Sequence, residues 1–170
     1  MIRTVALVSL LLLAFCGKVF AEEPQSKIKF PENYKTDFVN YLSLDRTQND
    51  DQIIRLFASE EVLKAVKATG EFPDGAVIVG EIYKAKKDED GEVIESDLSR
   101  RIRDKFALVA VMEKRKGWGE QFSEEFRNGD WDFAAFKPDG SVAKKNLNDC
   151  RKCHAPLTDT KHVFSYEHMK

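Results

Sequence analysis

The central stretch of the chain, Ala76-Val77-Ile78-Val79-Gly80-Glu81-Ile82-Tyr83, is rich in β-branched residues and follows the turn sequence Pro73-Asp74-Gly75. Such a run after a turn predicts a β-strand. Short apolar runs on both sides, at residues 53–57, 106–112 and 131–136, predict further strands. Charged residues at 86–91 predict a hairpin loop, and Pro138-Asp139-Gly140 predicts another turn. Strands are therefore expected to dominate the middle of the chain.

Three helices are expected beside these strands, which gives an α+β fold. Residues 60–68 carry apolar side chains at helical spacing, and Gly70 predicts the end of that helix. A third helix is expected from Leu147 through the two cysteines that follow. The first helix is predicted near the N-terminus, with Pro31 close to its start and an apolar face made of Tyr34, Phe38, Tyr41 and Leu42.

The first 21 residues differ from the rest of the chain. Arg3 gives a positive start, residues 5–16 are almost wholly apolar, and Ala21 ends a small-residue cleavage sequence. We expect a signal peptide cleaved after Ala21, export to the periplasm, and one domain over residues 22–170. Lipidation of Cys16 is the alternative. No later stretch is long enough to span a bilayer, so stable membrane insertion is not expected.

The composition argues against two classes of protein. A chain of 170 residues with 42% hydrophobic and 11% aromatic residues can bury a core, so it is not intrinsically disordered. The net charge is −2, and losing Arg3 and Lys18 with the signal peptide takes it to about −4. A general nucleic-acid binder would instead carry an excess of basic residues.

The sequence Cys150-Arg151-Lys152-Cys153-His154 is a C-x-x-C-H motif, which is the attachment signal for a c-type haem. Thiols one helical turn apart can bond to the same edge of one porphyrin, and the adjacent imidazole can reach the iron. The alternatives are a redox cysteine pair and a zinc site completed by His162 and His168. We predict one covalent haem c, bound through Cys150 and Cys153, with His154 as the proximal iron ligand.

A second axial iron ligand is not marked by the sequence. The candidates are Met112, His162, His168, Met169 and a lysine, and the simpler interpretation makes Met112 a core residue and both histidines surface residues. An iron with one protein ligand keeps an open face. In an apolar pocket that face binds small diatomic or nitrogenous molecules.

Several short segments together resemble one known family. They are Phe30-Pro31-Glu32-Asn33-Tyr34, Gly70-Glu71-Phe72-Pro73-Asp74-Gly75, Val111-Met112-Glu113-Lys114-Arg115, Asn128-Gly129-Asp130-Trp131, and the terminal Cys150–His154 motif followed by Asp159 and Val163-Phe164. In this order they look like cytochrome P-460 and its relative cytochrome c′-beta. The resemblance implies a mainly antiparallel β-sheet with flanking helices and a C-terminal haem-attachment segment. This fold differs from the four-helix bundle of ordinary cytochromes c′.

The resemblance also separates an enzyme branch from a gas-binding branch. The enzyme branch oxidises hydroxylamine and carries a lysine bonded to the porphyrin edge, at a position that matches Gly80 here. Lys84 lies on the same face of the predicted strand as Gly80, four residues and about 13 Å away from it. The branch without this bond implies a five-coordinate haem and a distal pocket capped by phenylalanines. Arg55 matches an arginine near the distal pocket of the enzyme branch, and the alternative is a surface strand residue with a carboxylate partner. The candidates for the cap are Phe38, Phe57 and Phe72.

The sequence therefore predicts a periplasmic haem protein that binds nitric oxide or carbon monoxide at an open iron. The alternatives are a hydroxylamine-oxidising enzyme and an electron-transfer cytochrome. A redox protein and a second copy of the chain, as a homodimer, are the further partners expected.

Overall fold

A computed structural model describes residues 25–170. The predicted signal peptide and Cys16 lie outside these residues. The elements in chain order are α1 (Tyr34–Asp37), β1 (Val39–Asp45), β2 (Gln52–Ala58), α2 (Glu60–Thr69), β3 (Val77–Ala85), β4 (Arg103–Lys114), β5 (Trp131–Phe136) and α3 (Leu147–His154). Single-turn 3-10 helices lie at Trp118–Gln121, Glu124–Phe126 and Tyr166–His168. The predicted α+β fold is confirmed.

The five strands form one sheet in the order β1-β2-β3-β4-β5, and every neighbouring pair is antiparallel. Four strands were predicted close to where they lie. The central strand β3 pairs along its length with β2 and β4, so the stretch beginning at Ala76 lies in the middle of the sheet. Antiparallel neighbours can be joined by short connections, as β1 and β2 are by residues 46–51, whereas the connection from β2 to β3 contains α2.

The N-terminal helix is much shorter than predicted, and this is a correction. Helix α1 ends at Asp37, Phe38 is extended, and Tyr41 and Leu42 belong to β1. Leu42 pairs with Leu56 of β2, so the neighbouring strand supplies the hydrogen bonds that a helix would have supplied locally. Tertiary pairing overrides a local helical spacing in this way because intrinsic helix propensities are small.

Helix α2 is bounded as its sequence predicts. The Ser59 side chain accepts a hydrogen bond from the backbone N–H of Val62 at 3.3 Å, which caps the first turn. Gly70 ends the helix in the left-handed conformation at φ 73°, where a glycine carries no steric penalty. Val62 and Val66 are buried in the same core cluster as Ile78 of β3, so α2 packs on one side of the sheet.

The sheet has two faces of different composition, because successive side chains of a strand point to opposite sides. The cavity face is defined here by Ile54, Leu56, Ile78, Gly80, Ile82, Leu108, Ala110 and Met112. The outer face is defined by Arg55, Phe57, Val79, Glu81, Val109 and Val111.

Each face is covered by a different part of the chain. The C-terminal segment covers the cavity face through the buried residues Val163, Tyr166 and Met169. The segment before β1 covers the outer face through Ile28 and Tyr34. Among the helices at residues 25–170, none combines the length and apolarity needed to cross a membrane.

Candidate functional site

A cavity of about 640 Å³ lies between the cavity face of the sheet and helix α3. Its volume falls in the range of about 300–1,000 Å³ that is typical of small-molecule and cofactor sites. The sheet contributes aliphatic side chains and Gly80 to the lining. Apart from the C-x-x-C-H motif, the polar lining residues come from the loop after β1, from the residues around the start of α3 and from the C-terminal segment. They are Arg46, Thr47, Gln48, Lys145, Asn146, Asp149, Ser165 and His168.

Helix α3 brings the C-x-x-C-H motif to this cavity. The Asn146 side chain accepts a hydrogen bond from the N–H of Asn148 and starts the helix. Cys150 and Cys153 are three residues apart on it, so they lie on one side of the helix, and both line the cavity. Both thiols are free. Burial raises the pKa of the Cys150 thiol, which keeps it protonated at neutral pH.

The imidazole of His154 is held in one orientation at the cavity wall. Its Nδ1 donates a hydrogen bond to the carbonyl oxygen of His162 at 2.8 Å. Burial lowers the pKa of His154, so the ring is neutral at pH 7 and Nε2 carries the lone pair. The rings of Phe133 and Phe164 pack on it, each with a centroid distance of 4.9 Å. Metal-binding histidines are oriented by such a hydrogen bond from the second ring nitrogen, whose acceptor is a carboxylate, a backbone carbonyl or a water.

Helix α3 is fixed to the sheet by a buried ion pair. Nη2 of Arg151 donates to Oδ1 of Asp132 at 2.8 Å, and the two side chains are 3% and 0% exposed. The amide of Asn128 donates to the carbonyl oxygen of Arg151 at 3.1 Å, and the guanidinium lies 4.3 Å from the ring centroid of Phe122. This anchor could not be predicted from the sequence, since no local pattern links residue 132 to residue 151.

The residues present fit a covalently attached haem. The cavity is large and mostly apolar, two free thiols face it one helical turn apart, and a neutral, oriented imidazole lies one residue beyond. The zinc alternative needs a cluster of ligands instead. In the described part of the chain, three or more His, Cys, Asp or Glu side chains are nowhere gathered in a way that could hold a metal ion.

The structure does not bring the predicted distal residues to the cavity. Arg55 pairs in register with Glu81, and Phe57 with Val79, whereas the strand neighbour of Gly80 is Leu56. Alternation along β2 therefore directs Arg55 and Phe57 to the outer face. Phe38 packs with the outer-face cluster, which also contains Phe57.

Phe72 is the one predicted cap residue on the cavity side of the sheet. Its ring lies 5.1 Å from that of Trp131 and 6.0 Å from that of Tyr166. These contacts place it in the core cluster beside α2, and it is not part of the cavity lining.

Arg46 is the cavity arginine that the sequence analysis missed. It lines the cavity from the loop after β1, and its Nη1 donates to Oε1 of Gln52. Burial lowers the pKa of Arg46, although the guanidinium remains charged. A sequence pattern that could have identified it is the spacing of two through Leu42, Leu44 and Arg46, because alternate residues of a strand lie on the same face. The pattern is informative only when this segment is taken as a strand.

Gly80 lies in the cavity lining, as the comparison with the lysine position of the enzyme branch requires. A side chain built on it would place Cβ 3.2 Å from Cδ1 of Ile54, so the wall is closely packed there. Lys84 is held at the strand end by Asp51, with Nζ 2.9 Å from Oδ2. Among the lysines at residues 25–170, only Lys145 contributes to the lining.

The four named candidates for a second iron ligand differ in position. Met112 and His168 line the cavity. Met169 is buried in the core cluster, and Nδ1 of His162 lies 3.3 Å from the carbonyl oxygen of His154. Met112 and His168 are therefore the two side chains to test.

Comparison with known proteins identifies the family. A search of curated proteins found no match. The sequence model of the cytochrome P-460 family matches residues 31–165, from the segment before α1 to the residues after α3. The match covers most of the chain, and the chain therefore belongs to the cytochrome P-460 family, which implies a haem cofactor.

Proposed function

We propose that the chain is exported to the periplasm, binds one haem covalently through Cys150 and Cys153, and takes up nitric oxide at the open face of the iron. His154 is the protein's iron ligand in this proposal. The observation that carries it is the composition of the cavity: a neutral, oriented imidazole on one side and aliphatic side chains with Gly80 on the sheet side. Carbon monoxide would enter the same site.

Different residues of the chain have different roles at such a site. When bound, haem supplies an iron with a coordination position for a diatomic ligand. Nε2 of His154 would hold the iron, and the hydrogen bond from Nδ1 to His162 keeps the ring oriented and its lone pair available. The aliphatic wall excludes water, which favours an uncharged ligand over an anion.

Arg46 supplies a permanent positive charge to the cavity lining, because a guanidinium stays protonated at every accessible pH. We assign it to a haem carboxylate or to a charged ligand atom, either of which a guanidinium pairs with in a bidentate way. This role replaces the one expected for Arg55.

Hydroxylamine oxidation is the first alternative. By the family resemblance it requires a lysine bonded to the porphyrin at the position of Gly80, and the nearest strand lysine, Lys84, is paired with Asp51. Electron transfer is the second alternative, and it requires Met112 or His168 as a second axial ligand.

The deciding experiment is the absorption spectrum of the purified mature protein, ferric and ferrous, with and without nitric oxide, together with its intact mass. A high-spin five-coordinate spectrum that responds to nitric oxide is expected, with a mass that starts at Glu22 and includes one haem. A strongly red-shifted ferrous Soret band would transfer the assignment to hydroxylamine oxidation, with Lys145 as the lysine to replace first. A low-spin spectrum that Met112→Leu or His168→Ala converts to high spin would indicate electron transfer.

His154→Ala tests the proximal ligand directly. Haem should stay attached through both cysteines, while the five-coordinate ferrous spectrum is lost. His168→Ala is the matched control, because it removes an imidazole from the same cavity lining and should leave the spectrum unchanged. An unchanged spectrum in His154→Ala would overturn the assignment.

A further inference from the structure

A second cavity, of about 340 Å³, lies at the outer face near the ends of β1 and β2. Ser43, Asp45 and Arg55 line it from β1 and β2. Arg100 and Arg101 close it from the segment before β4, and Arg103 closes it from the first position of β4. Four of its nine lining residues are therefore arginines. Guanidinium groups that surround one pocket repel each other, and a bound anion would reduce this repulsion.

Contacts with the protein hold the guanidinium groups in place. Nη1 of Arg55 donates to Oε2 of Glu81 at 3.0 Å, and its guanidinium lies 5.0 Å from the ring centroid of Phe57. Nε of Arg100 donates to Oδ2 of Asp45 at 2.9 Å. The guanidinium of Arg103 lies 5.2 Å from the ring centroid of Tyr83.

Arg101 has a structural role beside them. Its Nη1 donates to the carbonyl oxygens of Arg46, Asn49 and Gln52, at 2.9, 2.9 and 3.0 Å. This fixes the loop between β1 and β2 against the segment before β4, so the pocket walls are already in position before any ligand arrives. Such preorganisation reduces the entropic cost of binding.

The nearby carboxylates neutralise this pocket only in part, since there are three of them for four arginines. Glu81 is shared between Arg55 and Lys35, whose Nζ lies 3.9 Å from Oε1. Asp45 pairs with Arg100, and Arg101 reaches the fully solvated Asp50 at 3.5 Å. Over residues 25–170, Arg103 makes no ion pair. The pocket therefore has an excess of positive charge.

The pocket also retains hydrogen-bond donors. A guanidinium carries five N–H groups in a planar fork. Arg55 makes its carboxylate contact through Nη1, and Arg100 makes its contact through Nε. Arg55 also has a side-chain hydrogen bond with Tyr83, so the donors left for a ligand are mainly those of Arg100 and Arg103. Two guanidinium forks suit a tetrahedral oxyanion.

We propose that this pocket binds a small oxyanion with two negative charges, of the phosphate or sulfate class. The volume of about 340 Å³ is at the low end of ligand sites, which favours a small anion over a large cofactor. The pocket opens on the outer face, whereas the C-x-x-C-H motif faces the other side of the sheet. Anion binding here is independent of the proposed nitric oxide site.

The test is titration of the purified protein with inorganic phosphate, and separately with sulfate, by isothermal calorimetry at low ionic strength. Sodium chloride of matched ionic strength is the control for general screening. We expect saturable one-site binding of phosphate with a Kd below about 1 mM. The double variant R100Q/R103Q should weaken it at least tenfold, while Lys137→Gln, which removes an exposed positive charge elsewhere, should leave it unchanged.

Each outcome decides the proposal. Equal heats from chloride, or equal phosphate affinity in R100Q/R103Q, would overturn it. Binding of an acidic polypeptide without binding of phosphate or sulfate would assign the pocket to a protein partner instead. If the double variant fails to fold, the single variant Arg103→Gln carries the test, because Arg103 makes no ion pair whose loss would destabilise the described fold.

Discussion

The two faces of the central sheet are built from the same strands but carry opposite chemistry. The residues of β3 that line the cavity are Ile78, Gly80 and Ile82, and none of the three is charged. On the outer face, the residue next to Gly80 is Glu81, a carboxylate that is only 1% exposed. Neighbouring residues of one strand therefore face two different environments: an apolar cavity on one side of the sheet and a charged, buried network on the other.

Glu81 is stable in the core because its oxygens accept several hydrogen bonds. Tyr34 donates to Oε1 at 2.9 Å, and Tyr83 and Arg55 each donate to Oε2 at 3.0 Å. A buried carboxylate without such partners would be strongly unfavourable. The cavity face, in contrast, has no carboxylate on the sheet side to attract cations or to hold water against a bound apolar ligand.

The largest expected effect tests whether the chemistry belongs to the cavity face. The double variant Cys150→Ala/Cys153→Ala should lose all covalently attached haem, because both thioether bonds are removed. Glu81→Gln, a change on the outer face, should keep the haem. Intact mass and the absorbance that remains after acid–acetone extraction measure both. Haem retained covalently by the double cysteine variant would overturn the assignment of Cys150 and Cys153 as its attachment points.

The second prediction concerns the anchor that holds α3 at the cavity. Asp132→Ala removes the carboxylate to which the buried Arg151 donates, and losing one partner of a buried ion pair costs about 3–5 kcal/mol of unfolding free energy. Glu125→Ala is the control. It breaks the exposed ion pair with Lys152, which is worth about 0–1 kcal/mol. Urea unfolding compares the two, and similar losses in both variants would contradict the anchor.

The third prediction tests the outer-face network through its pH dependence. Tyr34→Phe removes the hydroxyl that donates to Glu81, at an expected cost of about 1–3 kcal/mol at pH 7. Burial, and next the hydrogen bond to Glu81, raise the pKa of Tyr34 above its ordinary value of 10.0. The stabilisation is therefore complete below pH 10.0 and is lost as the pH rises towards the higher folded pKa. Urea unfolding at pH 7 and pH 11 should show the difference between variant and parent shrinking, and a constant difference would contradict it.

The sequence predicted the parts of the fold that depend on local chemistry. The Pro-Asp-Gly turn, the β-branched run after it and the cap at Gly70 each act within a few residues. The C-x-x-C-H motif is equally local, so the structure brings Cys150, Cys153 and His154 together on one helix and its end.

What the sequence did not predict depends on contacts between distant residues. Strand β1 was taken for a helix because its pairing with β2 is invisible locally. The sequence left Arg55 open between the distal pocket and a carboxylate partner for a related reason: the choice requires the register that sets Leu56, not Arg55, beside Gly80. The ion pair between Asp132 and Arg151 joins two elements that share no local sequence pattern.

The smallest expected effect compares the two arginines directly. Arg46→Leu removes the guanidinium from the cavity lining, whereas Arg55→Leu removes one from the outer face. Arg46→Leu should change the affinity for a charged or polar iron ligand such as cyanide by about tenfold, which corresponds to about 1.4 kcal/mol, while Arg55→Leu should leave it within error. Ligand titrations followed at the Soret band measure both constants. If only Arg55→Leu changed the affinity, the distal role would belong to Arg55 and not to Arg46. Because Arg55 lies on the outer face and Arg46 lines the cavity, such an effect would have to be transmitted through the backbone of β2.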